Sequence, residues 1–224
     1  MTRAILFDLF NTLIASGNRK RAMTVREMGA ALGVEPDAFG QAFVRTWRER
    51  MLGTLGDLAE QCRTIARSVG GDPTDDQVSR AVELRLAFNR RTIVVAEATL
   101  AALATARAAG FQLAIVSNCT VDSGTALGET PLVAAVDEVV LSYQVGIAKP
   151  DTRIYEIACD ALDVTPASCV YVGDGADREL YGAQSLGMQV YQTTQFAMTD
   201  RRSEERRVGK ECYALCRSRW SPYH

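Results

Sequence analysis

The chain has 224 residues, 47% of them hydrophobic, with 25 lysines and arginines against 27 aspartates and glutamates, a net charge of −2. That balance gives no reason to expect a nucleic-acid partner, and no apolar run approaches the roughly 20 residues needed to cross a bilayer. The only histidine is His224, so histidine relays and histidine-rich metal sites are excluded, and carboxylates, lysine and arginine must carry any chemistry.

The first element is the apolar run Ala4-Ile5-Leu6-Phe7, read as a buried strand over 4–8 that Asp8 closes. Asp8 therefore stands where the chain leaves the carboxyl end of a sheet. A carboxylate at such a rim acts as metal ligand or nucleophile, because a bare charge beside a core is costly without a partner. Taken alone, an aspartate after a strand is more often a turn or cap residue. The motifs downstream reverse those odds.

Residues 15–93 read as helical, with segments at 18–32, 36–52, 57–69 and 74–89. Asp57 and Thr74 fit as N-caps, and Gly33, Gly53 and Gly70 as stops. In the last segment Val78, Val82, Leu86 and Phe88 are expected to line one buried face. Strand-like runs then return at 112–116, 137–141, 169–173 and 188–192, separated by helical patterns at 96–109, 151–162 and 177–186. Pro150 suits a first-turn position of the second of these, with Asp151 adding favourable charge. Strand and helix alternating in this way predict a doubly wound parallel α/β sheet covered on both faces.

Three further sets of polar residues fall at or near strand ends. Ser117-Asn118 follow the second strand and can bind phosphate or carboxylate oxygens, although small polar residues there also form turns. Lys149, in Gly146-Ile147-Ala148-Lys149-Pro150-Asp151, carries an ammonium that can steady a carboxylate and offset charge on a transferring group. Gly173-Asp174 close the fourth strand, with Asp177 and Glu179 within a turn. Carboxylates converging on Asp8 would repel one another unless a cation joined them, and hard oxygen ligands point to Mg²⁺. Asp177 reads better as a helix cap.

These four pieces, ordered and spaced over 4–192, resemble the haloacid dehalogenase-like hydrolase superfamily. The resemblance implies a core at 1–14 and 94–201 and a helical cap at 15–93, over the active site. It implies a hydrolase with Asp8 as nucleophile, assisted by Ser117 and Lys149. Thr12, Ser117, Asn118 and Lys149 would hold the substrate, and Asp8, the Phe10 carbonyl, Asp174 and Glu179 would hold Mg²⁺. The expected substrate is a small organic phosphate, processed through an aspartyl-phosphate. Family phosphatases usually carry a second aspartate two residues after the nucleophile, and here that residue is Phe10. Family dehalogenases carry an aromatic residue there, so a metal-independent 2-haloacid dehalogenase is the alternative, with Arg19, Arg21, Arg26 or Arg45 as candidate carboxylate holders. Those dehalogenases lack the acid that this chain keeps at Asp174. A non-catalytic binding or regulatory protein is a third class, which has no use for Asp8, Lys149 and Asp174 together.

Residues 202–224 carry charges without period, and the stretch Arg202 to Cys212 resembles a short-read sequencing adapter translated in frame. This tail is read as an artefact, expected to be disordered, and set aside from fold reasoning. Without it the chain has 19 basic and 24 acidic residues. Cys62, Cys119, Cys159 and Cys169 then remain, without metal-binding spacing or a secretory leader. That pattern predicts a reduced, cytoplasmic protein, monomer or homodimer, whose partner is a small molecule and neither nucleic acid nor membrane.

Overall fold

In the computed structural model of the chain, which describes residues 2–16 and 21–196, five strands form one all-parallel sheet in the order β3-β2-β1-β4-β5. They are β1 (Ala4–Phe7), β2 (Gln112–Ser117), β3 (Glu138–Leu141), β4 (Cys169–Gly173) and β5 (Gln189–Gln192). Each lies within a residue of its expected span. The tail reading and Arg19 fall outside the described residues.

Both sheet faces are covered, which explains why the strands read as unbroken apolar runs. Ala4, Leu6, Ala114, Val116 and Tyr171 join one cluster. Ile5, Phe7, Leu113 and Ile115 pack into another on the opposite face. β1 lies at the centre, with Phe7 opposite Ile115 on one side and Val172 on the other. The strand order changes direction there, so a crevice opens at the carboxyl edge of the sheet. Asp8, Ser117-Asn118 and Asp174 all leave strands at that edge.

Between β1 and β2 stand α1 (Arg21–Ala31), α2 (Pro36–Arg45), α3 (Trp47–Met51), α4 (Leu58–Ser68) and α5 (Asp75–Thr92), followed by α6 (Glu97–Ala108). Asp57 and Thr74 cap α4 and α5 through reciprocal capping boxes with Glu60 and Gln77. The expected segment 36–52 divides at Thr46, whose hydroxyl donates to the carbonyls of Ala42 and Phe43. These helices have their own apolar cluster, built on Val25, Met28, Phe39, Phe43, Ile65 and Val78. Later come α7 (Val121–Gly128), α8 (Ser142–Val145), α9 (Arg153–Ala161) and α10 (Glu179–Ser185). α7 and α8 were not foreseen: α7 contains glycine and lacks a side-chain cap, and α8 is a single turn. Pro150 is not in the first turn of α9, which begins at Arg153 after Thr152.

The buried stripe of α5 departs from expectation. Val78, Ala81, Arg85, Phe88 and Asn89 are buried, while Val82 and Leu86 are partly so. Arg85 Nε and Asn89 Nδ2 donate to the same oxygen of Asp122 on α7, at 2.6 and 2.8 Å. Burial would push the Asp122 carboxyl up, but Arg85, with hydrogen bonds from Thr120 and Asn89, pulls it down to about 2. Arg50 also acts on Asp122, its guanidinium lying 3.6 Å over the Phe43 ring. This cluster joins the helical unit to the sheet-bearing part.

Replacing Asp122 strands buried cations, so Asp122→Asn is expected to lower stability at pH 7 by about 3–5 kcal/mol, measured by urea unfolding. Because the native carboxyl lies below the usual carboxylate value, its contribution is fully present above that value. It fades as pH falls toward about 2. The gap between the two proteins should therefore narrow in acid.

Candidate active site

Lys149 is the residue around which the crevice is built. Its Nζ donates to Asp8 Oδ1 at 2.5 Å, Glu179 Oε2 at 2.5 Å and the Tyr171 hydroxyl at 3.1 Å. An ammonium has three donors, so all three are engaged. Burial would lower the Lys149 pKa, but Asp8 and Glu179 hold it above the ordinary lysine value. The lysine thus remains charged with its side chain only 2% exposed. The other Asp8 oxygen accepts from the Thr12 hydroxyl at 3.0 Å, which fixes both carboxylate oxygens.

Glu179 stands in the first turn of α10 and is held at every polar atom of its side chain. Oε2 accepts from Lys149 and from Tyr171 at 2.8 Å, and Oε1 from the Gly175 N–H at 3.0 Å. Burial pushes its carboxyl up against the pull of Lys149. Its backbone carbonyl accepts from Tyr155 at 2.7 Å. Gly173 permits this approach: a Cβ there would lie 2.1 Å from Glu179 Oε1. Burial also pushes the Tyr171 phenol well up, so it serves as a neutral donor.

Asp174 completes an acidic group in which oxygens of Asp8, Asp174 and Glu179 lie within 4.8 Å of one another. One Asp174 oxygen accepts from the Ala176 N–H at 2.8 Å and the other from Asn11 Nδ2 at 3.1 Å. Asn11, Asp177 and Arg178 have positive φ, so the loops lining the crevice hold non-glycine residues in the left-handed region. Three hard carboxylate donors this close fit a divalent cation such as Mg²⁺. Among the described residues no hydrogen bond engages the Phe10 carbonyl.

The remaining expected residues are placed unevenly. Asn118 lines the crevice, but its amide is engaged with the Lys149 backbone at 2.8 and 3.2 Å and with Asp177 at 2.8 Å. Asp177 is therefore Asn118's partner and caps no helix; Arg178 occupies the N-cap of α10. Ser117 is fully buried and its hydroxyl has no partner. It reaches the same edge without lining the cavity. That cavity, about 180 Å³, lies between the sheet edge and the helical unit. Arg21, Trp47 and Arg85 form its helical side. Arg26 and Arg45 are exposed, and Arg26 pairs with Asp37. Sequence reading missed Arg85, Tyr171 and Tyr155; an arginine inside an otherwise apolar helical stripe was the available signal for the first.

Comparison with known proteins gives a match to haloacid dehalogenase-like hydrolases over residues 2–187. The glyceraldehyde 3-phosphate phosphatase of Methanopyrus kandleri is 29% identical over 196 residues, spanning 84% of this chain and 82% of that protein. The (S)-2-haloacid dehalogenase 1 of Pseudomonas sp. strain CBS-3 is 39% identical over 90 residues, but this covers 40% of this chain and 38% of the dehalogenase. The likeness that runs through most of both chains is to the phosphatase. A family enzyme from Bacteroides thetaiotaomicron, solved as a mutant with magnesium and inorganic phosphate, superposes with a TM-score of 0.65 at 18% identity. It covers 86% of this chain and 94% of that one, a likeness of fold.

Gly173→Ala tests how tightly the acidic group is built. The added methyl group must displace Glu179, and outer partners of a metal site commonly govern 10–100-fold in affinity. Divalent-cation affinity, read by titration calorimetry, should weaken within about that range.

Proposed function

The chain belongs to the haloacid dehalogenase-like hydrolase family, and from that membership we propose a Mg²⁺-dependent phosphatase of small organic phosphates that works through an aspartyl-phosphate at Asp8. The observation that carries the reading is the convergence of Asp8, Asp174 and Glu179 within 4.8 Å beside the Lys149 ammonium. Displacing a halide from carbon needs neither Asp174 nor a cation.

In this reading Asp8, the Phe10 carbonyl and Asp174 hold Mg²⁺, with Glu179 as supporting acid. The ion supplies neutralisation of phosphoryl charge when bound. Thr12 orients the Asp8 carboxylate, and Lys149 positions it through their ion pair. Asp8 attacks phosphorus while the ester P–O bond breaks and the alcohol oxygen leaves. Water then cleaves the acyl phosphate, restoring Asp8 and releasing inorganic phosphate. Asn118, on the cavity wall, is assigned to the oxygens of the transferring group, with Lys149 offsetting its charge; Ser117, buried at the same edge, would need a local movement to reach them. The helices α1 to α5 act as the cap that closes this centre to bulk water.

One observation favours the dehalogenase alternative: Phe10 lines the cavity where an acid would otherwise stand. A panel of phosphate esters and 2-haloacids, each assayed with Mg²⁺ and with chelator, separates the two. Phosphate release abolished by chelator is the expected result. Halide release indifferent to chelator would establish the dehalogenase instead, and no turnover with no bound metal would leave a binding protein.

Phe10 gives a second test. General acid catalysis is typically worth 10²–10⁴-fold and matters only when the leaving oxygen needs a proton. Phe10→Asp should therefore raise kcat/KM for an alkyl phosphate more than for an aryl phosphate. An unchanged ratio in a folded, Mg²⁺-binding variant would place the proton donor elsewhere.

A further inference from the structure

The helical side of the cavity has a charge balance that the phosphoryl chemistry does not use. Arg21, Arg50 and Arg85 lie within electrostatic reach of one another there, and Asp122 acts on all three. Asp122 takes the Nε of Arg85 at 2.6 Å, while Arg85 Nη1 is buried without a partner. Arg85 is 1% exposed and yet lines the cavity that Asp8 enters from the other side. Arg21 lines it too, and its Nε is likewise buried and unpartnered. Burial lowers the Arg21 pKa, with Arg85 adding to the effect. A buried guanidinium N–H without an acceptor is a substantial desolvation penalty, and two such groups on arginines that line one cavity are best met by an anion entering it. Ser123 also lines this part and can add a neutral hydroxyl donor.

We propose that Arg21 and Arg85 form a subsite for a carboxylate on the substrate, so that the enzyme takes small phosphorylated carboxylic acids. The inference rests on the phosphatase reading for the role of the phosphoryl end and extends it to the other end of the same molecule. A guanidinium offers a planar fork that matches a carboxylate. The cavity of about 180 Å³ is smaller than the roughly 300–1,000 Å³ of pockets for drug-sized ligands, which favours a short carbon chain between the two anions.

The test is equilibrium binding, which needs no turnover. Phosphonoacetate and 3-phosphonopropionate are titrated against their neutral amides, using full-length protein with Mg²⁺. At least one acid should bind tenfold or more tightly than its amide. That preference should collapse toward unity in Arg21→Gln and in Arg85→Lys. Lysine keeps a positive charge facing Asp122 but loses the Nη1 donor, so this variant avoids stranding the buried carboxylate; should it still unfold, Arg21→Gln decides alone. Equal binding of acid and amide, preference surviving in the folded variants, or no binding of either compound overturns the proposal. If the arginine-dependent preference is found while no phosphate ester is hydrolysed, the subsite stands and the phosphatase reading falls.

Discussion

The ammonium of Lys149 lies between two buried carboxylates, and the geometry of the crevice follows from holding that charge out of water. A buried ion whose partner is removed costs about 3–5 kcal/mol, so Asp8, Lys149 and Glu179 are mutually obligatory. Each demands further support. Tyr171 gives a hydrogen bond to Glu179 and takes one from Lys149, and Tyr155 pins the Glu179 backbone from α9. The two rings meet edge to face at 5.2 Å, so polar anchoring and apolar packing reinforce each other beneath the sheet edge. β4 contributes Gly173 because a side chain there would occupy the space of Glu179.

A second buried charge network, Arg85 and Asn89 against Asp122, serves the junction between helical unit and core. The two networks have opposite imbalance. Around Lys149 the carboxylates outnumber the cation, whereas around Asp122 the arginines outnumber the acid. A cavity between such walls presents an acidic floor that needs a cation and a basic roof that needs an anion. A ligand carrying charge at both ends, as the proposed substrate would, could be oriented by this field before any shape contact is made. Trp47 and Phe10 contribute apolar surface between them.

Much of this was legible in the sequence because it is local. The strands are short apolar runs buried on both faces, and Asp8, Lys149 and Asp174 sit at fixed places in motifs punctuated by Gly and Pro. The caps of α4 and α5 were legible for the same reason. What escaped depends on distant partners. Arg85 and Asn89 received no role, since an apolar stripe drawn through Val78, Val82, Leu86 and Phe88 leaves them out. The stripe that is buried runs through Val78, Ala81, Arg85 and Phe88, and only Asp122, 37 residues further on, makes that tolerable. Asp177 looked like a cap because an acid in a first turn usually favours the helix dipole, yet its partner is Asn118 from another strand end. Glu179 read as a metal acid, but its lysine and tyrosine partners could not be read from spacing.

Phe10 marks where family resemblance and local chemistry diverge. Its ring packs partly against the cluster of Leu9, Leu13 and Ile14 while also facing the cavity. In the proposed reaction an oxygen leaving near Asp8 would therefore meet hydrocarbon where an acid would stand. The serine and threonine hydroxyls that line the cavity are feeble acids, and a guanidinium gives up a proton too reluctantly to serve as one. In that reaction, stabilising charge on the departing group would rest on electrostatics: the acidic cluster with its proposed cation on one wall and the guanidinium groups on the other. Such preorganised charge is effective only in a water-excluded site. That ties the chemistry to the junction at Asp122, because the helices supplying the arginines are also the ones that close the crevice.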